Sequence, residues 1–193
     1  RLMEHLKNHH GERSMVVLRP ADGEETVMAW KLAVEEHRPV ALVLSRQNIK
    51  NLPTLGASRR EEAAQVAKGG YVVMDAAKPA AVLIATGSEV ATLIEGAELL
   101  ASEGIPVRVV NVPSEGLFRD QPKSYQESVL PAGVARYGMT SGLPINLLGL
   151  VGENGVIHGL DHFGYSAPYT VLDEKFGYNG VTVAAEVKNM LGK

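Results

Sequence analysis

Five consecutive apolar residues, Ala81-Val82-Leu83-Ile84-Ala85, run directly into Thr86-Gly87-Ser88 and then into a helix-periodic stretch from Glu89 to Ser102 that stops near Gly104. A strand with no polar face has to be buried on both sides, the condition of a parallel strand in a sheet covered by helices. Thr86-Gly87 supplies a tight turn, and Ser88 stands where an N-cap is expected. Pro106 to Val112 provides the next apolar run, closed by Pro113. This β-α-β unit commits the chain to an α/β fold: an open, mainly parallel sheet flanked by helices in three layers.

A second unit lies upstream. Ser14 to Leu18 reads as a short buried strand ended by Arg19-Pro20, because proline cannot continue the ladder. Asp22 is a good N-cap and Glu25, three residues on, completes a capping-box-like pair. Val27, Trp30, Leu32 and Val34 give the helix that follows an apolar side, and Val40 to Leu44 supplies the second strand. Two parallel strands leave open edges and an uncovered face, so residues 1–68 read as the end of a larger α/β domain. A short helix is expected over Leu2 to Asn8, with Leu2, Met3 and Leu6 on one face, and another over Arg59 to Lys68, broken by Gly69-Gly70. Residues 69–79 read as a linker containing a strand at Tyr71 to Met74, and residues 80–193 as the second domain. Within it a helical turn is expected at Tyr125 to Val129, a strand at Val134 to Met139, and helices at Pro168 to Phe176 and Val181 to Leu191.

The net charge of −3, with Lys and Arg scattered, argues against a nucleic-acid surface. No apolar run approaches membrane-spanning length and no basic-then-apolar leader is read. The absence of cysteine rules out thiolate chemistry and fits a reducing compartment, so a cytoplasmic protein is expected.

The residues with chemical potential are few. Ser45-Arg46-Gln47-Asn48 ends the second upstream strand, and ligands collect at the carboxyl ends of parallel strands. A guanidinium there suits a phosphate through two parallel N–H bonds, or equally a carboxylate at a domain seam. Ser88 at the start of a helix could serve an anion or act as a plain cap. His158 and His162, four apart with Asp161 between them, have a spacing that serves zinc on a helix. Gly155, Gly159 and Gly164 argue instead for loop or strand. No nucleophile-base pair, paired carboxylates or dinucleotide loop is present, so no catalytic residue is assigned.

Several segments carry a resemblance: Arg19-Pro20-Ala21-Asp22-Gly23-Glu24-Glu25-Thr26, Ala29-Trp30-Lys31, Ser45-Arg46-Gln47-Asn48, Lys68-Gly69-Gly70-Tyr71-Val72, Ala85-Thr86-Gly87-Ser88-Glu89-Val90, Gly159-Leu160-Asp161-His162-Phe163-Gly164 and Ser166-Ala167-Pro168. In this order and at these intervals they resemble the carboxyl-terminal third of transketolases. The apolar stretch Gly142 to Leu150 departs from the family, where an aromatic-bearing segment is expected. The resemblance implies that residues 1–68 close the pyrimidine-binding domain of a thiamine enzyme and that 80–193 form the transketolase C-terminal domain. It implies a parent that moves a two-carbon ketol unit between sugar phosphates in the pentose phosphate pathway, as a homodimer using thiamine diphosphate and a divalent cation, Mg or Ca. Those cofactor groups would bind mainly outside this chain, with the family's acidic and histidine-bearing stretch upstream of Arg1. The chain alone is expected to be inactive, with no cofactor or metal ligand of its own. Arg46 matches the arginine that binds substrate phosphate, and Gly159, Asp161, Phe163 and Gly164 match a structural turn near the subunit interface. The rival readings are dihydroxyacetone synthase, a 2-oxo acid dehydrogenase β subunit disfavoured by Ser45 to Asn48, and a noncatalytic dimerisation or regulatory module.

Overall fold

The computed structural model describes residues 2–56 and 58–193; Arg1 and Ala57, both inside the expected first segment, lie outside the described residues. The chain opens with α1 (Leu2–His5), β1 (Val16–Leu18), α2 (Gly23–Glu35) and β2 (Val40–Leu42). These are followed by α3 (Arg59–Ala63), which tightens into a 3-10 turn over Ala64–Lys68. Next come β3 (Tyr71–Met74), β4 (Ala81–Ala85), α4 (Glu89–Ser102), β5 (Val107–Asn111), α5 (Glu115–Arg119), α6 (Lys123–Val129) and β6 (Ala135–Met139). Then α7 (Leu148–Val151), β7 (Val156–His158), α8 (Tyr169–Phe176) and α9 (Gly180–Met190) complete it.

The strands form two sheets. β1 and β2 pair in parallel, Val16 opposite Val40 and Leu18 opposite Leu42. The larger sheet runs β3-β5-β4-β6-β7, parallel except for β3, which is antiparallel to β5. β4 lies at its centre and is buried along its whole length. Ala81, Leu83 and Ala85 face one apolar layer with Leu93, Ala97 and Val183 from α4 and α9. Val82 and Ile84 face the other, with Phe118, Val129 and Leu150 from α5, α6 and α7. Alternate residues of one strand therefore feed two cores, as a three-layer sheet requires.

Local signals explain most element starts. Asp22 accepts from the Glu25 N–H at 2.9 Å, and Asn179 accepts from Thr182 to start α9. Gly69 ends the helical segment at φ +78°, and a Cβ there would lie 2.2 Å from the Phe118 nitrogen, so no other residue fits.

Four expectations are corrected. The helix at the amino end closes at His5 rather than Asn8. The strand Tyr71–Met74 belongs to the five-stranded sheet, bonded to β5, and does not stand in a linker. The Val27, Trp30 and Val34 stripe of α2 faces outward, 54%, 56% and 81% exposed, while Glu25 and Ala29 are buried. A carboxylate turns inward because Arg59, Tyr71 and Asn111 wait for it, and apolar periodicity alone cannot register such a partner. Ser88, finally, is no side-chain cap: its backbone is already helical and its hydroxyl donates to Glu89 Oε1 at 3.1 Å.

Candidate functional site

A cleft of about 540 Å³ opens where the carboxyl ends of β1 and β2 meet the start of α4 and the α8 segment. That volume is in the range of small-molecule sites. The β2 end contributes Ser45, Gln47, Asn48 and Lys50. Arg19, one residue past β1, reaches across: its Nη2 lies 2.8 Å from Glu89 Oε2, in an ion pair rather than an aligned hydrogen bond, and donates to Ser141 Oγ at 3.1 Å. The guanidinium crosses directly over Gly87, where φ is +68° and a Cβ would lie 2.7 Å from Arg19 Nε. Turn and side chain both require glycine. Lys50 pairs with Glu95 at 3.0 Å and ties the loop to α4.

Tyr169, Asp173, Phe176 and Tyr178 form the opposite wall. Burial and the nearby Glu89 carboxylate raise Asp173 above its ordinary value. Burial, with Glu89 and Asp173 adding to it, pushes the Tyr178 hydroxyl up to about 12, and it donates to the Thr140 carbonyl at 2.9 Å. The wall is thus aromatic and hydroxyl-bearing, and the floor carries paired charges.

Arg46 stands between two lining residues, Ser45 and Gln47, at the rim of this cleft. It is exposed, and no carboxylate among the described residues pairs with it. The seam arginine is a different one. Arg59, 9% exposed, donates to Asp22 at 2.6 Å, to Glu25 at 2.5 Å and to the Tyr71 hydroxyl at 2.8 Å. Tyr71 and the Asn111 amide also bond Glu25, so the network joins α2 and α3 to β3 and β5. Burial raises Glu25 above its ordinary value and drives the Tyr71 hydroxyl well above its own. Sequence reasoning saw Glu25 only as a cap and missed Arg59, Tyr71 and Asn111, whose partners lie 12 to 86 positions away. It also gave Arg19 no role, although Arg19 follows a strand end as Arg46 does.

The other candidates separate. The Glu89 carboxylate already occupies the start of α4 beside Ser88, the place an anion would take. His158 ends β7, while Asp161 and His162 sit on an exposed loop. Among the described residues no three His, Cys, Asp or Glu side chains converge on a point that could hold a metal ion. Gly159 packs against Gly142, whose carbonyl a Cβ would approach to 2.9 Å; Gly164 lines the cleft, and Phe163 projects 98% exposed.

Residues 69–179 match the model of the transketolase-like TK C-terminal domain. The chain belongs to the transketolase family. A transketolase of Geobacillus stearothermophilus is 41% identical across 99% of this chain and 29% of its own length. A plasmid-borne transketolase of Cupriavidus necator is 43% identical across 91% of this chain and 26% of its own. The crystal structure of Pichia stipitis transketolase in complex with sedoheptulose 7-phosphate superposes at a TM-score of 0.83 and 31% identity, covering 95% of this chain and 26% of that one. The chain thus spans between a quarter and a third of the length of these three transketolases. Transketolase-family structure therefore extends beyond the matched domain to both sheets. Among the described residues no helix is long and apolar enough to cross a membrane.

Proposed function

We propose that this chain is the carboxyl-terminal part of a cytoplasmic, homodimeric transketolase, and that it contributes the phosphate end of the sugar-binding site. Arg46 carries the reading: an exposed guanidinium with no carboxylate among the described residues to neutralise it, four residues past the carboxyl end of the parallel strand β2 and at the rim of a cleft. Its planar fork fits two oxygens of a sugar phosphate, and Ser45, Gln47 and Asn48 offer hydroxyl and amide groups beside it. The sugar phosphate in the Pichia stipitis structure supports the same ligand class here. Thiamine diphosphate, with its divalent cation, supplies the carbanion chemistry of two-carbon ketol transfer. In this reading both are held by residues outside this chain, and the role of Arg46 is to orient the substrate. Residues 1–68 then close the pyrimidine-binding domain. The exposed turn of Gly159, Asp161, Phe163 and Gly164 lies near the second subunit.

The test is Arg46→Ala in the full-length enzyme. Loss of a charge-assisted phosphate contact is expected to lower kcat/KM for phosphorylated sugars about 10- to 100-fold with an unchanged melting temperature. Equal loss on an unphosphorylated ketose, or no loss at all, would remove Arg46 from the site. Use of ribose 5-phosphate rather than formaldehyde as acceptor separates transketolase from dihydroxyacetone synthase.

A further inference from the structure

His158 ends β7 half-buried beneath the turn that joins α8 to α9, and both of its ring nitrogens face oxygen. Nδ1 lies 3.1 Å and 3.3 Å from the two carboxylate oxygens of Glu186 on α9. Nε2 lies 2.9 Å from the carbonyl of Phe176, the last residue of α8. A neutral imidazole has one N–H, so it serves one of these acceptors and turns a lone pair toward the other. An imidazolium donates to both, and its charge also meets the negative end of α8. The same ring touches the rest of the turn. A Cβ on Gly177, at φ +75°, would lie 3.2 Å from His158 Cε1, and the Tyr178 ring stands edge-on at 5.0 Å. Phe176 and Tyr178 both line the cleft.

We propose that His158 is a proton-operated latch: charged, it ties the carboxyl end of α8 to α9 and holds the Phe176 and Tyr178 wall of the cleft; neutral, it lets that wall go. The titratable groups around it come from four elements. Glu186 faces it from α9, and Tyr137 on β6 donates to Glu186 Oε2 at 2.7 Å. Tyr178 faces it from the turn, and Asp173, on α8, binds the Tyr178 N–H through its carbonyl at 2.7 Å. Burial drives Tyr137 well above its ordinary range and Tyr178 up to about 12, so both remain neutral where histidine titrates. Asp173 has Glu89 as its charged neighbour, not the imidazole. Glu186 is the group that acts on the imidazole charge, held below the usual carboxylate value by its bonds to His158 and Tyr137. In return, the bond to Glu186 raises His158 above 6.5. The latch therefore stabilises fully below 6.5 for as long as Glu186 stays ionised, and its contribution is lost as pH rises through the higher folded value of His158.

Histidine-selective NMR on the full chain, with amide exchange followed over the same pH range, tests this. The His158 Cε1–H resonance, identified by its loss in His158→Gln, is expected to titrate above 6.5. Glu186→Gln is expected to weaken proton binding about tenfold. After correction for intrinsic rates, exchange at Gly177 and Tyr178 is expected to accelerate with the same midpoint. In His158→Gln it is expected to be fast at every pH. A wild-type midpoint at or below 6.5, or exchange at the turn indifferent to the His158 charge, overturns the latch, and the wild-type titration decides this even where a variant fails to fold. The readout is the wall itself, so a failed Arg46 test leaves the latch standing.

Discussion

Arg59→Met probes the seam between the small sheet and the large one. Asp22 and Glu25 have no exposed surface, and Arg59 is the cation that reaches both. Without it Asp22 keeps the N–H groups of Glu25 and Leu52, and Glu25 keeps Tyr71, Asn111 and the Ala21 N–H. Their hydrogen bonds survive, but their charges lose their counterion in a site closed to water. Removing one partner of a buried ion pair costs about 3–5 kcal/mol. Methionine fills most of the stem volume, which keeps any cavity contribution small. For a chain of this length each kcal/mol is worth about 2–4 °C, so the melting temperature should fall by about 6–20 °C.

The deficit should also depend on pH. Glu25 is raised above 4.5 by burial, so folding holds its proton more tightly than the unfolded chain does. Its contribution is then most favourable below 4.5 and declines as pH rises through the folded value. Losing Arg59 raises that folded value further, so the variant should regain part of its deficit at pH 5 relative to pH 8. Urea denaturation at both pH values measures this, with Lys188→Ala, whose partly exposed pair with Glu103 is worth under about 1 kcal/mol, as control. A loss below about 1 kcal/mol at pH 7, or a deficit that grows on acidification, would refute the assignment of a charged seam.

Two further substitutions address the fold. Gly69→Ala places a methyl 2.2 Å from the Phe118 nitrogen and 2.5 Å from the Ser114 carbonyl, both backbone atoms that cannot swing aside. It should destabilise by more than the roughly 1–2 kcal/mol of a left-handed residue alone, and an unchanged thermal midpoint would contradict the packing of α5 on this turn. Trp30→Ser, on the outward stripe of α2, should cost under about 1 kcal/mol in the isolated chain by denaturant titration. A loss of several kcal/mol would mean that the helix is turned the other way.

The strands were legible because their signal is local. Ala81 to Ala85 has no polar face, so it had to be central, and β4 is. Ser88 shows the limit of the same reasoning: the right residue type stood at the right position, yet the turn at Gly87 delivered it already helical, leaving its hydroxyl for Glu89. Likewise Arg46 could be placed near a strand end from sequence, but only the tertiary structure buried the carboxylates of Asp22 and Glu25 against Arg59 and left Arg46 exposed at the rim of the cleft.

By itself the sequence determined the β-α-β order, the covered parallel sheet and the family resemblance, because apolar runs, caps and glycines act over a few residues. Tertiary structure decided which side of α2 turned inward, that β3 closed an edge of the large sheet, and that Arg19 would bridge to Glu89. It also decided that His158 would find two acceptors, on residues 18 and 28 positions away. Those outcomes rest on charges and hydrogen bonds between distant segments. Their energies arise only once folding removes the water that would otherwise screen them.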